Sequence, residues 1–332
     1  MKPREDLDLS LPSFGFGGAS VGNLFAASSD SEAEEAMATA MAVGFDYFDT
    51  APHYGHGLSE VRIGRFLAGL SEHRPVLSTK VGRVLKPSGP VGPPDHGFVN
   101  PLPFTQVFDY SYDGVMRSFD DSCARLGVEN VDILFMHDIG RLTHGDAHDE
   151  LFAQAMDGGY RAMDELKRAG KTKAIGLGVN EWEVCAQTFA CADFDIFMLA
   201  GRYTLMEQEP LHRLFPECAR RGVGVICAGP FNSGLLARRP DAASHYNYTK
   251  APRDIIERAM RLYEFCEQQG VPVQAAALQF PLRHRVVRSV VGGMSSAARV
   301  RSTAAWARFP IPDGFWGEIR SAGLVDPATP AP

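Results

Sequence analysis

Eight short apolar runs alternate with helical stretches along this chain, and that alternation constrains the fold more than any other feature. The runs are LPSFGFG, GFDYF, PVLSTK, VDILFM, KAIGLGVN, FDIFMLAG, VGVICAG and RVVRSVVGG, each bounded by glycine, proline or polar residues. Between them lie stretches with helical spacing, among them Asp30 to Val43, Leu58 to Leu70, Tyr112 to Gly127 and Arg253 to Gln269. Eight strand–helix units are what a closed β/α barrel requires. The expectation is therefore an α/β protein, a single (β/α)8 TIM barrel over residues 1–332 with extra C-terminal helices, structured from about 10 to 325 with flexible termini. The pair Gly15 and Gly17 is read as a strand-to-loop corner and not as a dinucleotide fingerprint, since Ser20 stands where the third glycine would be.

Two segments break the rhythm. Residues 81–110, VGRVLKPSGPVGPPDHGFVNPLPFTQVFDY, are dense in proline and glycine and too long for a plain connection, which suits a lid or substrate wall. Residues 138–150, DIGRLTHGDAHDE, hold His144, His148, Asp146 and Asp149, but at no spacing used by two-histidine metal motifs; a solvated acidic loop is expected, and no metal.

Charge and cysteine usage narrow the partners. Lys and Arg number 33 against 40 Asp and Glu, a net charge of −7 without a basic block, so nucleic acid is not expected. No apolar run approaches ~18 residues and the N-terminus has no apolar core of a signal peptide, which points away from a membrane and toward the cytoplasm. The six cysteines are scattered without a C-x-x-C pair and read as mostly buried free thiols of a reducing compartment. A monomer or a small homo-oligomer fits equally.

The chemistry sits at strand ends, which in a parallel barrel open onto one mouth. Asp49, Lys80, His137 and Asn180 each close an apolar run, and Tyr54 follows Asp49 on a Pro/Gly-rich corner. A phenol with an ordinary pKa of about 10 needs a cation beside it to exchange protons near neutral pH. Lys80, held by Asp49, is the candidate cation, and His137 is the candidate to orient a substrate oxygen. The set contains neither a nucleophile nor a metal cage, so it fits hydride transfer, with a cofactor carrying the redox chemistry. A barrel hydrolase using Asp49 and His137 would lack a second catalytic carboxylate.

The stretch DTAPHYGHGLSE, together with GVENVDILFMHD, LKRAGKTKAIGLGVN, GPFNSGLL and VVGGMSSAARV, resembles the aldo-keto reductase family over nearly the whole chain. The resemblance implies a catalytic tetrad of Asp49, Tyr54, Lys80 and His137. It implies that Asn180 holds the nicotinamide carboxamide. The loops after the seventh and eighth strands, with Gly229, Pro230, Asn232, Gly234 and Leu235, then Gly292, Gly293, Ser295 and Arg299, would hold the rest of an NAD or NADP molecule. Three positions depart from the family: Val179, Ala200 and Ala228 stand where a serine, a glutamine and an aromatic residue usually help seat the nicotinamide, and Tyr203 is a candidate to compensate. With Gly293 and Ser295 where phosphate-preferring relatives carry a cation, and Arg299 the nearest one, NAD is the expected cofactor.

Within the family, FGFGGASVGNLF, AGRYTLMEQ and GRVLKP resemble members that oxidise aldoses such as L-fucose, L-galactose or threo-configured sugars at C1, and a pyridoxal dehydrogenase. Both substrate types exist in water as cyclic hemiacetals, whose reacting carbon carries a transferable hydride and an acidic hydroxyl. One proton acceptor and one hydride acceptor suffice to make a lactone. The expected partner is thus a small hydroxylated cyclic molecule. Aldo-keto-reductase-like chains also serve as non-catalytic partners of potassium channels; the intact tetrad favours the enzyme.

Overall fold

The computed structural model describes residues 9–71, 73–89, 97–247 and 249–330. Twelve strands are present among them: β1 Phe14–Gly17, β2 Tyr47–Asp49, β3 Val76–Val81, β4 Arg83–Pro87, β5 Phe104–Phe108, β6 Ile133–His137, β7 Ala174–Val179, β8 Ile196–Ala200, β9 Gly224–Ala228, β10 His245–Tyr246, β11 Thr249–Lys250 and β12 Val287–Gly293. Eight of them close a parallel barrel in the order β1-β12-β9-β8-β7-β6-β3-β2. The eight apolar runs are these eight strands. Their residues alternate between two environments. Tyr47, Ile133, Phe135, Ile196, Met198 and Ile226 fill the barrel interior. Phe48, Leu77, Leu134, Ile175, Phe197 and Val225 face outward into the larger core shared with the helices.

Helices between the strands start where the sequence offers caps. Ser29 accepts from the Glu32 amide, and Glu32 reaches back to the Ser29 amide, which starts helix Asp30–Ala42 with a capping box. Gly127, at φ 65°, closes helix Tyr112–Leu126 in the left-handed conformation that side-chain-bearing residues resist. Among the described residues no helix is long and apolar enough to cross a membrane. All six cysteines are free thiols; Cys185, Cys218, Cys227 and Cys266 are buried, Cys123 half-buried and Cys191 exposed.

Three expectations change. The proline-rich stretch, expected as a loop forming a lid or substrate wall, holds a hairpin: β4 and β5 pair antiparallel, with Arg83 opposite Phe108 and Pro87 opposite Phe104. The alternation in RVLK and FTQVF is short enough to be hidden by the prolines around it. Residues 90–96 of that stretch lie outside the described residues, as do residues 1–8 and 331–332 of the termini expected to be flexible before about 10 and after about 325. The acidic segment after His137 is helical, in helix Arg141–His144, a tight turn Gly145–Ala147 and helix His148–Gln154. His148 is buried there, its ring nitrogens bonded to the Ile139 carbonyl (3.1 Å) and Gln187 Oε1 (3.2 Å). Ordered structure also runs past 325: Thr329 is buried, and its carbonyl accepts from Arg320 at 3.2 Å.

Candidate active site

Parallel closure carries Asp49, Lys80, His137 and Asn180 to one mouth, because each stands at or just past the C-terminal end of its strand. Asp49 pairs in register with Ser78, two residues before Lys80, so Ser78 and Lys80 share the inward face beside the carboxylate. Lys80 runs across the barrel toward Gly178 on β7, where a Cβ would meet its Cε at 3.2 Å. A glycine there keeps the lysine's path open.

The contacts that follow are short and shielded. Lys80 Nζ donates to Asp49 Oδ2 (2.7 Å), the Thr50 carbonyl (2.9 Å) and the Tyr54 phenol oxygen (2.9 Å), so all three of its protons have partners. Asp49 Oδ1 accepts from Ser78 Oγ at 2.7 Å, and Ser78 is bonded in turn to Tyr47 Oη at 2.9 Å. Burial, reinforced by the Asp49 charge, pushes the Tyr47 phenol well above its usual range, so Tyr47 remains a neutral strut inside the barrel. The Tyr54 and His137 rings meet edge to face at 6.2 Å, and the His53 and His137 rings at 5.8 Å. Burial, then the neighbouring Arg83 and Lys80 charges and His53, hold His137 well below the ordinary histidine pKa. It is a neutral imidazole at neutral pH.

Two cavities meet over these groups. One, of about 530 Å³, is lined by Tyr54, Lys80 and His137, with His53, Arg83 and Asp138 around them. The other, of about 450 Å³, is lined by Gly229, Asn232, Ser233, Arg238 and Asn247. Asn180, Ala200 and Phe25 line both. The second cavity has the polar and cationic lining that a pyrophosphate requires. Asn232 Oδ1 is buried there without a partner among the described residues, and a Cβ on Gly292 or Gly293 would meet nothing within 4 Å. The lining of the second cavity fits a pyrophosphate, whereas Gly292 and Gly293 at the end of β12 line neither cavity.

Not every expected residue reaches these cavities. Tyr203 is fully buried against Phe215 and Phe280, with ring centroids at 4.7 and 5.3 Å, so it cannot stand in for the missing aromatic residue. Leu235 and Pro230 are buried in the packing beneath the loop. Gly234 serves a turn at φ 93°. Arg299 is exposed in the first turn of helix Ala297–Ala307, Ser295 is half-buried just before it, and neither lines the two cavities. Of the two histidines in DTAPHYGHGLSE, His53 lines the catalytic cavity and bonds Gln106 at 2.7 Å, whereas His56 is buried against the Phe104 carbonyl.

Several lining residues were not singled out from the sequence. Phe25 is 68% exposed at the junction of the cavities with φ 62°, a conformation uncommon for a bulky residue. Arg83, opening β4, forms a buried ion pair with Asp138 at 2.7 Å. The signal available for both was a bulky or charged residue directly after a motif, in VGNLF and TKVGR.

Comparisons with known proteins bear on the family and the fold. The model of the Aldo/keto reductase family matches residues 13–323. The pyridoxal 4-dehydrogenase of Microbacterium luteolum is 43% identical, over 96% of this chain and 95% of its own length. The D-threo-aldose 1-dehydrogenase of a Pseudomonas species is 38% identical, over 96% and 95%. An aldo-keto reductase from Bacillus halodurans, in its holo form, superimposes with a TM-score of 0.72 at 25% identity, covering 98% of this chain and 96% of that one.

Proposed function

The chain belongs to the aldo/keto reductase family, an NAD(P)-dependent oxidoreductase family, and from that premise we propose that it oxidises a small cyclic hemiacetal to its lactone. The observation that carries this reading is the buried Lys80 ammonium, which donates to Asp49 and to the Tyr54 phenol oxygen beneath a single cavity. An ammonium bonded to a phenol oxygen favours the phenolate, so Tyr54 accepts the proton of the anomeric hydroxyl as the carbon–oxygen double bond forms. Asn180 would hold a nicotinamide dinucleotide, which when bound would supply the hydride acceptor. His137, neutral, orients the substrate oxygen without competing with Tyr54 for the proton. Asp49 holds Lys80, and the barrel wall excludes water from the pair. No water enters the step, because both oxygens of the lactone are already in the ring form.

Both 43% and 38% relatives act on compounds that close into such rings, which supports the class. Within it, an aldose at C1 is the first reading, and oxidation of pyridoxal is the second. Phe25 favours the second, since it brings to the cavity lining an aromatic residue that Ala228 does not. NAD serves at least as well as NADP in this reading, because Gly293 and Ser295 carry no charge and Arg299 projects from an exposed helical turn. The test incubates the enzyme with each dinucleotide and L-fucose, D-arabinose, L-galactose or pyridoxal, following reduced-cofactor absorbance. Turnover of one or more of these supports the reading. Reduction of acyclic carbonyls with no oxidation of any ring substrate would refute it.

A further inference from the structure

Asn180 stands where the two cavities meet, and its immediate lining neighbours Val179, Ala200 and Ala228 offer only apolar side chains. Its amide is therefore the polar side chain that this corner presents to a nicotinamide carboxamide. An amide has two unlike ends, one donating and one accepting, and which end faces a ligand decides what the ligand must offer. Here the choice is made by Asp138. Asp138 is buried beyond the end of β6, and its Oδ1 accepts from Asn180 Nδ2 at 3.1 Å. A carboxylate only accepts, so the opposite amide orientation would set two acceptors against each other. The Asn180 oxygen is left to the cavity.

The carboxylate itself cannot turn. Its Oδ2 accepts from Arg83 at 2.7 Å and lies 3.4 Å from His137 Nε2. Its backbone is held at φ 47°, with the amide donating to the Gly178 carbonyl at 3.0 Å. Tyr110 Oη donates to the His137 carbonyl at 2.7 Å, and its ring packs against Gly82, where a Cβ would lie only 2.3 Å from a ring carbon. A left-handed aspartate pinned on both sides of its backbone is a conformation the surrounding structure imposes.

We propose that Asp138 is a positioning residue: it fixes the Asn180 amide with its oxygen toward the cofactor, so that the site selects a carboxamide N–H donor. The inference rests on reading Asn180 as the carboxamide partner. It yields a specific consequence for Asp138→Asn. The new amide must give its oxygen to Arg83, which leaves its NH2 facing Asn180 and forces the Asn180 amide to reverse.

The test is binding, by isothermal titration, of NAD and of its acetylpyridine analogue, whose methyl ketone lacks the carboxamide N–H. The wild-type protein should bind NAD about tenfold more tightly than the analogue, the worth of one hydrogen bond. In Asp138→Asn the two dissociation constants should converge, whereas general damage to the site would weaken both ligands and keep their ratio. Should Asp138→Asn fail to fold, Arg83→Met with Asp138→Ala removes both charges of the buried pair and the acceptor that holds the Asn180 amide, so the amide is free to turn and the ratio should still fall. Arg83→Met alone keeps the Asp138–Asn180 contact and should keep the ratio. A wild-type ratio preserved in the Asp138 variants, or equal binding of the two ligands by the wild type, overturns the assignment of Asp138 alone. Failure of the wild type to bind either dinucleotide overturns it together with the cofactor reading.

Discussion

Replacing Lys80 by methionine removes a cation that is 2% exposed and leaves Asp49, 4% exposed, with its carboxylate buried. The Ser78 hydroxyl at 2.7 Å still donates to it, but no charge opposes it. Breaking a buried pair from one side costs about 3–5 kcal/mol. For a chain of 332 residues, an unfolding entropy of roughly 2.1 cal/mol/K per residue turns that into a melting-temperature drop of about 4–7 °C. The same substitution takes away the donor that favours the Tyr54 phenolate, and turnover should fall about 10²–10⁴-fold. Adding Asp49→Asn separates the two effects. With no charge left buried, most of the lost stability should return, while turnover should not. Thermal melts by circular dichroism and initial rates of cofactor reduction on the four proteins read the cycle. A Lys80→Met protein that melts with the wild type, or a double variant that regains turnover, would show that the pair does not act as described.

Tyr54→Phe keeps the ring and removes the proton acceptor: turnover should fall about 10²–10⁴-fold while the dissociation constant for NAD stays near that of the wild type, measured by titration. Histidine 137 is held neutral by burial, so as pH falls below about 6.5 the unfolded chain takes up a proton that the folded chain refuses, and stability is lost. Stability measured by denaturant at about pH 7.5 and pH 5 should therefore change less in His137→Gln than in the wild type; His144 and His284, depressed for the same first cause, keep the slope from vanishing. The kcat/KM with NAD should equal or exceed that with NADP, and a preference of about tenfold or more for NADP would assign Arg299 or Arg238 to the extra phosphate.

The barrel was legible because its strands are apolar runs with sharp polar ends, and because a parallel barrel places all such ends on one face. That suffices to bring Asp49, Tyr54, Lys80 and His137 together without knowing any distance, and the contacts around Lys80 follow. What failed to show in the sequence depends on closure between distant segments. Arg83, Asp138 and Asn180 meet only because β3, β6 and β7 are neighbours in the barrel, and the charge of Arg83 sits in a hairpin whose prolines disguise it as loop. Tyr203 erred in the opposite direction. Its place after a strand end suggested the mouth, but the chain turns there and drives the ring into the core against Phe215. His148 followed the same pattern, a polar residue buried by a short helix that Gly145 and Asp146 in the turn just before it disguise as loop.

The central claim is that the ring form is oxidised directly, with Tyr54 as the proton acceptor. It is tested by following product identity at early times, by mass spectrometry or NMR, with the ring substrate from the panel that is turned over fastest. A lactone that appears in step with reduced cofactor, ahead of any free acid, and that disappears with Tyr54→Phe is the predicted result. A free acid formed from the outset with no lactone before it would contradict the account.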